Sequence, residues 1–307
     1  MPFSEAYRRQ VALLLRVLPL VAQEEAFALK GGTAINLFVR NMPRLSVDID
    51  LTYLPVAARA TSLAEISAGM KRIADRVRAS VLGAGVNAAE LGPEGAVTKL
   101  IVRTGGVQTK IEVTPVLRGC VYEPELRPVS PAVEDVFGYA EMKVVSFADL
   151  YGGKIVAALD RQHPRDLFDI RDLLANEGID DPLRRAFIVY LLSHDRPMNE
   201  VLAPNRKDLA AEFARGFDGM TGGPVSVEEL AAARESLITE IVGAMPDEHR
   251  RFLVSFERGE PDWALLGVDG AANLPAVRWR QQNLDRMRSE RRAASVTRLE
   301  CALSYNQ

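Results

Sequence analysis

The feature that most constrains this chain is a pair of aspartates placed shortly after a glycine turn. Residues 27–54 read FALKGGTAINLFVRNMPRLSVDIDLTYL, with a glycine pair after the first apolar segment and Asp48 and Asp50 inside the second. Short apolar segments bounded by glycine and proline predict strands and turns. We therefore expect a strand, a turn, a short helix and a second strand that carries both carboxylates.

The residues around the aspartates alternate in polarity. Val47, Ile49 and Leu51 fall on one face of an extended strand, and the two aspartates fall on the other. Two carboxylates this close repel each other, and a divalent cation between them removes the repulsion. Hard oxygen ligands suit Mg²⁺ or Mn²⁺, which also bind substrate phosphates. Solvent-facing acids on a strand are the alternative for an isolated D-x-D motif.

The glycine pair adds a candidate anion-binding turn. Gly31 and Gly32 follow the predicted strand Phe27–Lys30 and precede a short helix ending near Arg40, for which Thr33 can act as the N-cap. Backbone N–H groups at such a turn can approach a phosphate, and a helix N-terminus favours negative charge. A simple tight turn is the alternative, but the glycine pair followed by D-x-D is more specific than either part.

A third acid lies on a later strand. The segment VTKLIVRTGGVQTKIEVTPV predicts a β-hairpin across Gly105 and Gly106. Its second strand places Lys110 and Glu112 on the polar face, so that Glu112 could join the aspartate pair. The proline-rich and charged segment 117–137 then predicts a connection between domains.

From residue 141 onward the pattern is nearly all helical, and it contains a second group of charged residues. Lys154 lies in the middle of an apolar helix, and Asp166 and Asp169 share one face of the next helix. Arg165 could pair with a carboxylate or hold a phosphate. The alternatives are a lysine extending from the edge of the core and an ordinary set of surface ion pairs.

Length and composition set the broad class. The 307 residues suit two domains, no run is apolar enough for a membrane helix, and two cysteines are too few for a disulfide framework. We therefore expect a cytoplasmic protein without a membrane segment. The net charge of −3 argues against generic nucleic-acid binding by the whole chain.

The charge is nevertheless uneven along the chain. The segments 70–78 and 278–292 are both strongly basic. Solvated helix faces are one interpretation, and a local surface that binds the phosphates of a nucleic-acid substrate is the other.

The motifs together resemble a known superfamily. The stretch GGTAINLFVRNMPRLSVDIDL resembles the signature of the DNA polymerase β-like nucleotidyltransferases, and DLYGGKIVAALDRQHPRDLFDI narrows the resemblance to the AbiEii/AbiGii toxin family, which includes the MenT toxins. The resemblance runs from about Phe27 to Leu174. It implies an α/β (α+β) fold: a nucleotidyltransferase domain with a mixed sheet over residues 1–135, and a mainly α-helical domain over residues 136–307 that contributes Lys154 and Asp169 to the active-site cleft.

The resemblance also implies roles for individual residues. Those matched to catalysis are Asp48, Asp50, Lys154 and Asp169. Those matched to nucleotide binding are Gly31, Gly32, Thr33, Lys154, Arg165 and Asp166. Arg44 and Ser46, which lie just before D-x-D, are further candidates for nucleotide binding, and a role on the loop surface is their alternative. Those matched to metal binding are Asp48, Asp50 and Glu112, of which Glu112 stands in the shortest motif.

The implied activity is metal-dependent nucleotidyl transfer by the toxin of a bacterial toxin–antitoxin pair. The expected substrate is an NTP with Mg²⁺ or Mn²⁺, the expected acceptor is the 3′ end of tRNA, and the expected result is a block of translation and growth. A cognate antitoxin is the expected protein partner. Three alternatives stay open: an antibiotic-type enzyme with a small hydroxylated acceptor, a protein acceptor, and a catalytically degenerate binding module.

Overall fold

Contacts within the chain separate it into two units. The structure is a computed structural model that describes residues 3–92 and 95–304. The first unit contains the chain up to Ser146 and also the segment Phe217–Pro224. The second contains Phe147–Gly216 and the chain from Val225 onward. The predicted division into residues 1–135 and 136–307 stays a prediction about domain organisation.

The first unit is organised around a seven-stranded mixed sheet. Its strands are β1 (Phe27–Lys30), β2 (Asp48–Tyr53), β3 (Gly85–Leu91), β4 (Ala96–Thr104), β5 (Val107–Arg118), β6 (Glu125–Pro128) and β7 (Glu141–Val144). Their order across the sheet is β3-β4-β5-β2-β1-β7-β6. The pairs β1–β7 and β2–β5 are parallel, and the other neighbours are antiparallel.

The strand β2 lies at the centre of this sheet, as its alternating sequence requires. Ile49 and Leu51 are fully buried, whereas Asp48 and Asp50 on the other face are half-buried. The predicted hairpin across Gly105 and Gly106 is confirmed, because β4 and β5 pair in antiparallel register from Thr104 and Val107 onward.

The described residues of the first unit form the α-helices α1 (Glu5–Val21), α2 (Gly31–Ala34), α3 (Arg59–Ser80) and α4 (Pro131–Phe137). A single π-helical turn, Ile35–Val39, continues α2. Two expectations for this part of the chain are wrong. The segment 117–137 is more than a connection, because it supplies the edge strand β6 and the helix α4, and the helical region begins only after β7. Short strands at a sheet edge carry too few residues for a clear alternation pattern.

The second unit is helical throughout its described residues. Its helices are α5 (Phe147–Asp160), α6 (Pro164–Asn176), α7 (Asp181–Leu192), α8 (Met198–Leu202), α9 (Ala210–Gly216), α10 (Val227–Ile238), α11 (Asp247–Arg258), α12 (Trp263–Leu266), α13 (Pro275–Asp285) and α14 (Ser289–Ser304). The helix α5 packs closely on α7 at Gly152, where an added Cβ would lie 2.9 Å from the Phe187 backbone nitrogen. The mixed sheet and the helical second unit confirm the predicted α/β fold class.

Candidate active site

The glycine turn between β1 and α2 is shaped by the side chains that lie against it. Gly31 has a φ of +73°, and a Cβ there would lie 2.8 Å from Oδ2 of Asp50. A Cβ on Gly32 would lie 2.8 Å from Nη2 of Arg44 and 3.0 Å from Oγ of Ser46. Both positions therefore require glycine, since a side chain at either would displace a predicted site residue.

The start of β2 is tied to this turn by Thr33. Its hydroxyl donates a hydrogen bond to the backbone carbonyl of Asp48 and lies 3.0 Å from Oγ of Ser46. Thr33 is fully buried and lies inside α2, which begins at Gly31. The expectation that Thr33 caps the helix is therefore wrong: its hydroxyl holds the strand that carries the aspartates. Its predicted contact with a nucleotide stays a prediction.

The loop before β2 is braced by the distant segment Phe217–Pro224. The backbone N–H of Leu45 donates to the carbonyl of Met220 at 2.8 Å, and Arg44 forms an isolated β-bridge with Thr221. Arg44 is only 2% exposed and donates from Nη1 to the Leu45 carbonyl, so its guanidinium is held over the glycine turn. A fixed positive charge therefore lies where a bound phosphate would approach the turn.

Four neighbouring strands place charged residues in one row across the sheet. Asp50 on β2 pairs in register with Lys30 on β1 and with Glu112 on β5, and Glu112 pairs with Lys99 on β4. Register partners point to the same face of a sheet. The two acids therefore stand between two lysines. Burial lowers the pKa of the Lys30 ammonium, although the negative charge of Asp50 opposes that effect.

Lys110 adds a further positive charge between the acids. Its Nζ lies 3.0 Å from Oε2 of Glu112 and 3.9 Å from Oδ2 of Asp48. Partial burial alone would lower the pKa of Lys110, but the charges of Asp48 and Glu112 outweigh it, and the net effect raises that pKa. The acids thus lie in a locally balanced set of charges, and Glu112 is held by Lys110.

The donor set fits a divalent cation in part. The described residues, 3–92 and 95–304, contain no group of three or more His, Cys, Asp or Glu placed to hold a metal. Mg²⁺ needs only one or two protein carboxylates when phosphates and waters complete its shell, and Asp48 and Asp50 are the predicted pair. Glu112 lies beside Asp50 in the sheet register, and its carboxylate pairs with Lys110. Its role as a third ligand stays a prediction.

In the second unit, the predicted residues on α5 and α6 form a buried ion-pair group. Nζ of Lys154 lies 3.0 Å from Oδ1 of Asp166 and 2.9 Å from Oδ2 of Asp169. The side chain of Lys154 is 6% exposed, and those of Asp166 and Asp169 are 2% and 0% exposed. The alternative of an ordinary set of surface ion pairs is therefore wrong for these three side chains.

Arg161 completes this group and was missed by the sequence analysis. Its guanidinium donates to both carboxylate oxygens of Asp166, at 2.5 and 2.9 Å. Burial alone would raise the pKa of Asp166, but Lys154 and Arg161 together hold it well below its ordinary value. Arg165 is half-buried, and its backbone N–H donates to Nδ1 of His163, which caps α6.

The structure therefore brings the predicted site residues together in two sets, one in each unit. The first set contains Gly31, Gly32, Thr33, Arg44, Ser46, Asp48 and Asp50. The second contains Lys154, Asp166 and Asp169. The sequence analysis missed Lys30, whose place directly before the glycine pair on β1 was a usable signal.

A strand that carries paired carboxylates, locked onto a glycine turn and a short helix, defines a nucleotidyltransferase fold. A family model described as "Nucleotidyl transferase AbiEii toxin, Type IV TA system" matches residues 12–283. The chain belongs to this family of nucleotidyltransferase toxins, which confirms the predicted family and enzyme class. Membership implies an NTP substrate, a divalent metal and an antitoxin partner.

One solved structure supports the same fold. MenT4, a nucleotidyltransferase toxin from Mycobacterium tuberculosis H37Rv, is similar to this chain with a TM-score of 0.62 and 18% sequence identity. The similarity covers 93% of this chain and 95% of that chain. A comparison with curated protein sequences gave no match. Among the described residues, no helix combines the length and apolar character needed to cross a bilayer.

Proposed function

We propose that this protein transfers a nucleotidyl group from an NTP to the 3′-terminal hydroxyl of tRNA and thereby blocks translation. The observation that carries the proposal is the closure of the Gly31 turn on Asp50, with Arg44 held over Gly32. This arrangement offers backbone N–H groups and a guanidinium to a triphosphate beside a pair of carboxylates.

The reaction needs an in-line displacement at the α-phosphorus. The acceptor oxygen attacks that phosphorus, the bond to the bridging oxygen breaks, and pyrophosphate leaves with the bonding electrons. The acceptor proton passes to a carboxylate, for which Asp50 and Glu112 are the candidates. A divalent cation held by Asp48 and Asp50 would neutralise the charge that develops on the phosphates.

Lys154 and Asp169 take part as predicted catalytic residues in this proposal. The ammonium of Lys154 is fixed by two carboxylates, those of Asp166 and Asp169. In this proposal Lys154 contacts nucleotide phosphates, Asp169 and Asp166 position its ammonium, and Arg161 binds Asp166. Arg165, at the start of α6, remains the proposed second phosphate contact.

The charge balance around the acids favours an RNA acceptor over a small cation. Lys30, Lys99 and Lys110 stand in register with Asp50 and Glu112 or pair with them, so the face has no excess of negative charge that would attract a cationic antibiotic. An acceptor with a phosphate backbone meets no such penalty.

The decisive experiment identifies the molecule that receives the label. The purified protein is incubated with each of the four α-labelled NTPs, total RNA and Mg²⁺ or Mn²⁺, and the products are separated by size. We expect label on tRNA, no label with a chelator present, and recovery when the metal is restored. Label on another RNA or on a protein would refute the tRNA acceptor, and no label with any acceptor would refute the transferase activity.

Asp50→Asn provides the first mutational prediction. The change removes a negative charge that lies beside Glu112 in the sheet register, so we expect the free energy of unfolding to change by no more than about 1 kcal/mol. Transfer and growth inhibition should both be lost, because one metal carboxylate is missing. Asp135→Asn, at an exposed position on α4, is the matched control and should retain both activities. Full transfer by the Asp50 variant would show that the site is misassigned.

A further inference from the structure

The helix α13 in the second unit presents an aromatic side chain to solvent. Trp279 is 58% exposed, while Val277 and Leu284 on the opposite side of the helix are buried. One exposed apolar side chain is common on a protein surface, so the polar residues beside it must show whether another molecule binds there. The polar residues around Trp279 indicate what that molecule is.

The exposed neighbours of Trp279 follow the helical repeat. Arg278, Gln282 and Arg286 are spaced four residues apart, and Asn283 lies four residues after Trp279. Residues with this spacing form one continuous strip on a helix. All of them are exposed. The strip therefore combines one indole ring, two guanidinium groups and two amide groups.

Positive charge continues beyond α13 into the start of α14. Arg288 and Arg291 are exposed, like Arg278 and Arg286. In the part of the chain that the structure describes, none of these four side chains makes a hydrogen bond or an ion pair. Four guanidinium groups without carboxylate partners are a surface that attracts phosphates.

Two other arginines of the same basic segment have structural roles. Arg280 donates to the carbonyls of His194 and Arg196, and Arg292 donates to the Leu284 carbonyl near the end of α13. Their side chains hold backbone segments together. They are therefore excluded from the proposed surface.

The arginines of the other basic segment are already paired with carboxylates. Arg72 and Arg76 both donate to the buried carboxylate of Glu24, at 2.6 Å each, and Arg78 pairs with Asp75. The arginines of α3 are therefore engaged by carboxylates, whereas the four exposed arginines at α13 and α14 are not.

We propose that the strip formed by Arg278, Trp279, Gln282, Asn283 and Arg286, which we call the Trp279 strip, binds the acceptor RNA. An unpaired base stacks on the indole of Trp279, and the four exposed arginines contact phosphates of the same strand. Aromatic stacking combined with arginine contacts is the usual way in which proteins bind unpaired RNA. The inference rests on the proposed RNA acceptor and adds the surface that holds it.

Charge favours RNA over the other candidate, a protein partner. Tryptophan and arginine are also common at protein interfaces, so the antitoxin is the alternative occupant. A protein surface would need acidic side chains matched to four arginines, whereas any RNA strand supplies a phosphate at every nucleotide. The exposed amides of Gln282 and Asn283 provide hydrogen-bonding groups suited to base edges.

The test measures RNA affinity in the full-length protein. The probes are labelled tRNA and a labelled single-stranded oligoadenylate, titrated with the wild type, Trp279→Ala, Trp279→Phe and the quadruple variant R278Q/R286Q/R288Q/R291Q. Trp279→Ala should weaken binding about tenfold, and Trp279→Phe should restore most of that affinity. The quadruple variant should lower the slope of log affinity against log salt by roughly 0.7 for each phosphate that the wild-type arginines neutralise.

Matched controls test whether the loss of RNA binding is specific to the Trp279 strip. Removal of another exposed aromatic ring, or of positive charge elsewhere, should not reproduce it. Tyr139→Ala removes an aromatic side chain that is 59% exposed in the first unit, and R72Q/R78Q removes two α3 arginines that are paired with carboxylates. Both variants should bind RNA as the wild type does. Addition of RNA should quench tryptophan emission in the wild type but not in Trp279→Phe, because the other tryptophan, Trp263, packs against Phe252 and Phe256.

The outcomes distinguish this inference from the proposed function. If the wild type labels RNA and the Trp279 and arginine variants bind it normally, the strip is refuted and the acceptor assignment stands. If Trp279→Ala instead loses binding to the antitoxin alone, the strip is a protein interface and the inference is wrong. If the wild type labels no RNA, the acceptor assignment fails, and the binding titrations still decide whether the strip binds RNA.

Discussion

A glycine next to a carboxylate is the clearest structural requirement at the scale of single residues. Gly31 has two reasons to lack a side chain: its positive φ, and the Asp50 carboxylate that fills the space of its Cβ. Gly106 in the β4–β5 hairpin has a similar φ of +77° but no atom within 4 Å of its Cβ position. Substitutions at these two glycines therefore distinguish the effect of backbone strain from the effect of displacing the carboxylate.

Gly31→Ala and Gly106→Ala give a matched pair of predictions. Each should lower the free energy of unfolding by about 1–2 kcal/mol, because alanine disfavours a left-handed backbone. Only Gly31→Ala should also abolish nucleotidyl transfer, since its methyl group pushes the Asp50 carboxylate away. Urea unfolding and a transfer assay measure the two effects. Loss of transfer in both variants would mean that strain, and not the position of the carboxylate, controls activity.

The acids on α6 make a second residue-level contrast. Lys154→Ala removes the ammonium partner of the buried Asp169 and leaves Asp166 with Arg161 alone, so we expect a loss of about 3–5 kcal/mol in stability as well as activity. Asp169→Asn keeps the Lys154–Asp166 pair, so it should cost about 1 kcal/mol and still abolish transfer. Asp172→Asn, one turn further along α6, is the control. Normal transfer by Asp169→Asn would make Asp169 a structural residue.

At the scale of elements, the pair α5 and α6 depends on ionised carboxylates in its interior. Asp166 accepts from Lys154 and Arg161, which hold its pKa below the ordinary 3.8. In the unfolded chain this carboxyl takes up its proton near the ordinary value, while the folded protein stays ionised to lower pH. The unfolded state therefore binds more protons, and its population grows as pH falls.

This linkage predicts how stability responds to acid. The contribution of Asp166 should be complete above about pH 5 and should decline as the pH falls toward about 2. Asp166→Asn should lower stability near neutral pH and give a flatter curve across that window. Denaturant unfolding at a series of pH values measures both. A wild-type curve parallel to that of the variant would show that the two cations do not stabilise the ionised carboxylate.

Elements with a strong local sequence pattern could be predicted, and elements without one could not. The alternation at Asp48–Tyr53 and the double glycine between β4 and β5 were enough to predict β2 and the hairpin, because period two and a glycine turn are local signals. The strands β6 and β7 were missed because each has only four residues, too few for a clear alternation of polarity. The pairing of Asp166 with Arg161 was missed because Arg161 precedes α6 and does not share the helical repeat that places Asp166 and Asp169 on one face.

At the scale of the whole molecule, the first unit is not made from consecutive residues. Phe217 and Met220 are each 1% exposed, and Met220 accepts the hydrogen bond from Leu45 that fixes the loop before β2. No sequence pattern predicted that Phe217–Pro224 belongs to the first unit, because its place depends on pairing between positions far apart in the chain. The predicted site on β2 therefore relies on a segment that lies beyond α9.

Phe217→Ala tests this dependence. Removal of a buried phenyl ring should lower the free energy of unfolding by about 3–5 kcal/mol. Hydrogen exchange should show reduced protection at the Leu45 amide, with protection in α5 and α7 unchanged. Leu82→Ala, at a position that is 93% exposed in the same unit, should leave both unaffected. Full protection of Leu45 in the Phe217 variant would contradict the bracing role of the segment.

Because Phe217–Pro224 belongs to the first unit, that unit can be completed only late in the synthesis of the chain. Translation releases the Asp48 and Asp50 strand early, but the loop before it gains its brace only after residue 224 has left the ribosome. A nascent toxin therefore carries its carboxylate pair for most of its elongation without the support that holds Arg44 over the turn. An enzyme built in this way gains the support of its predicted site only when most of its chain already exists.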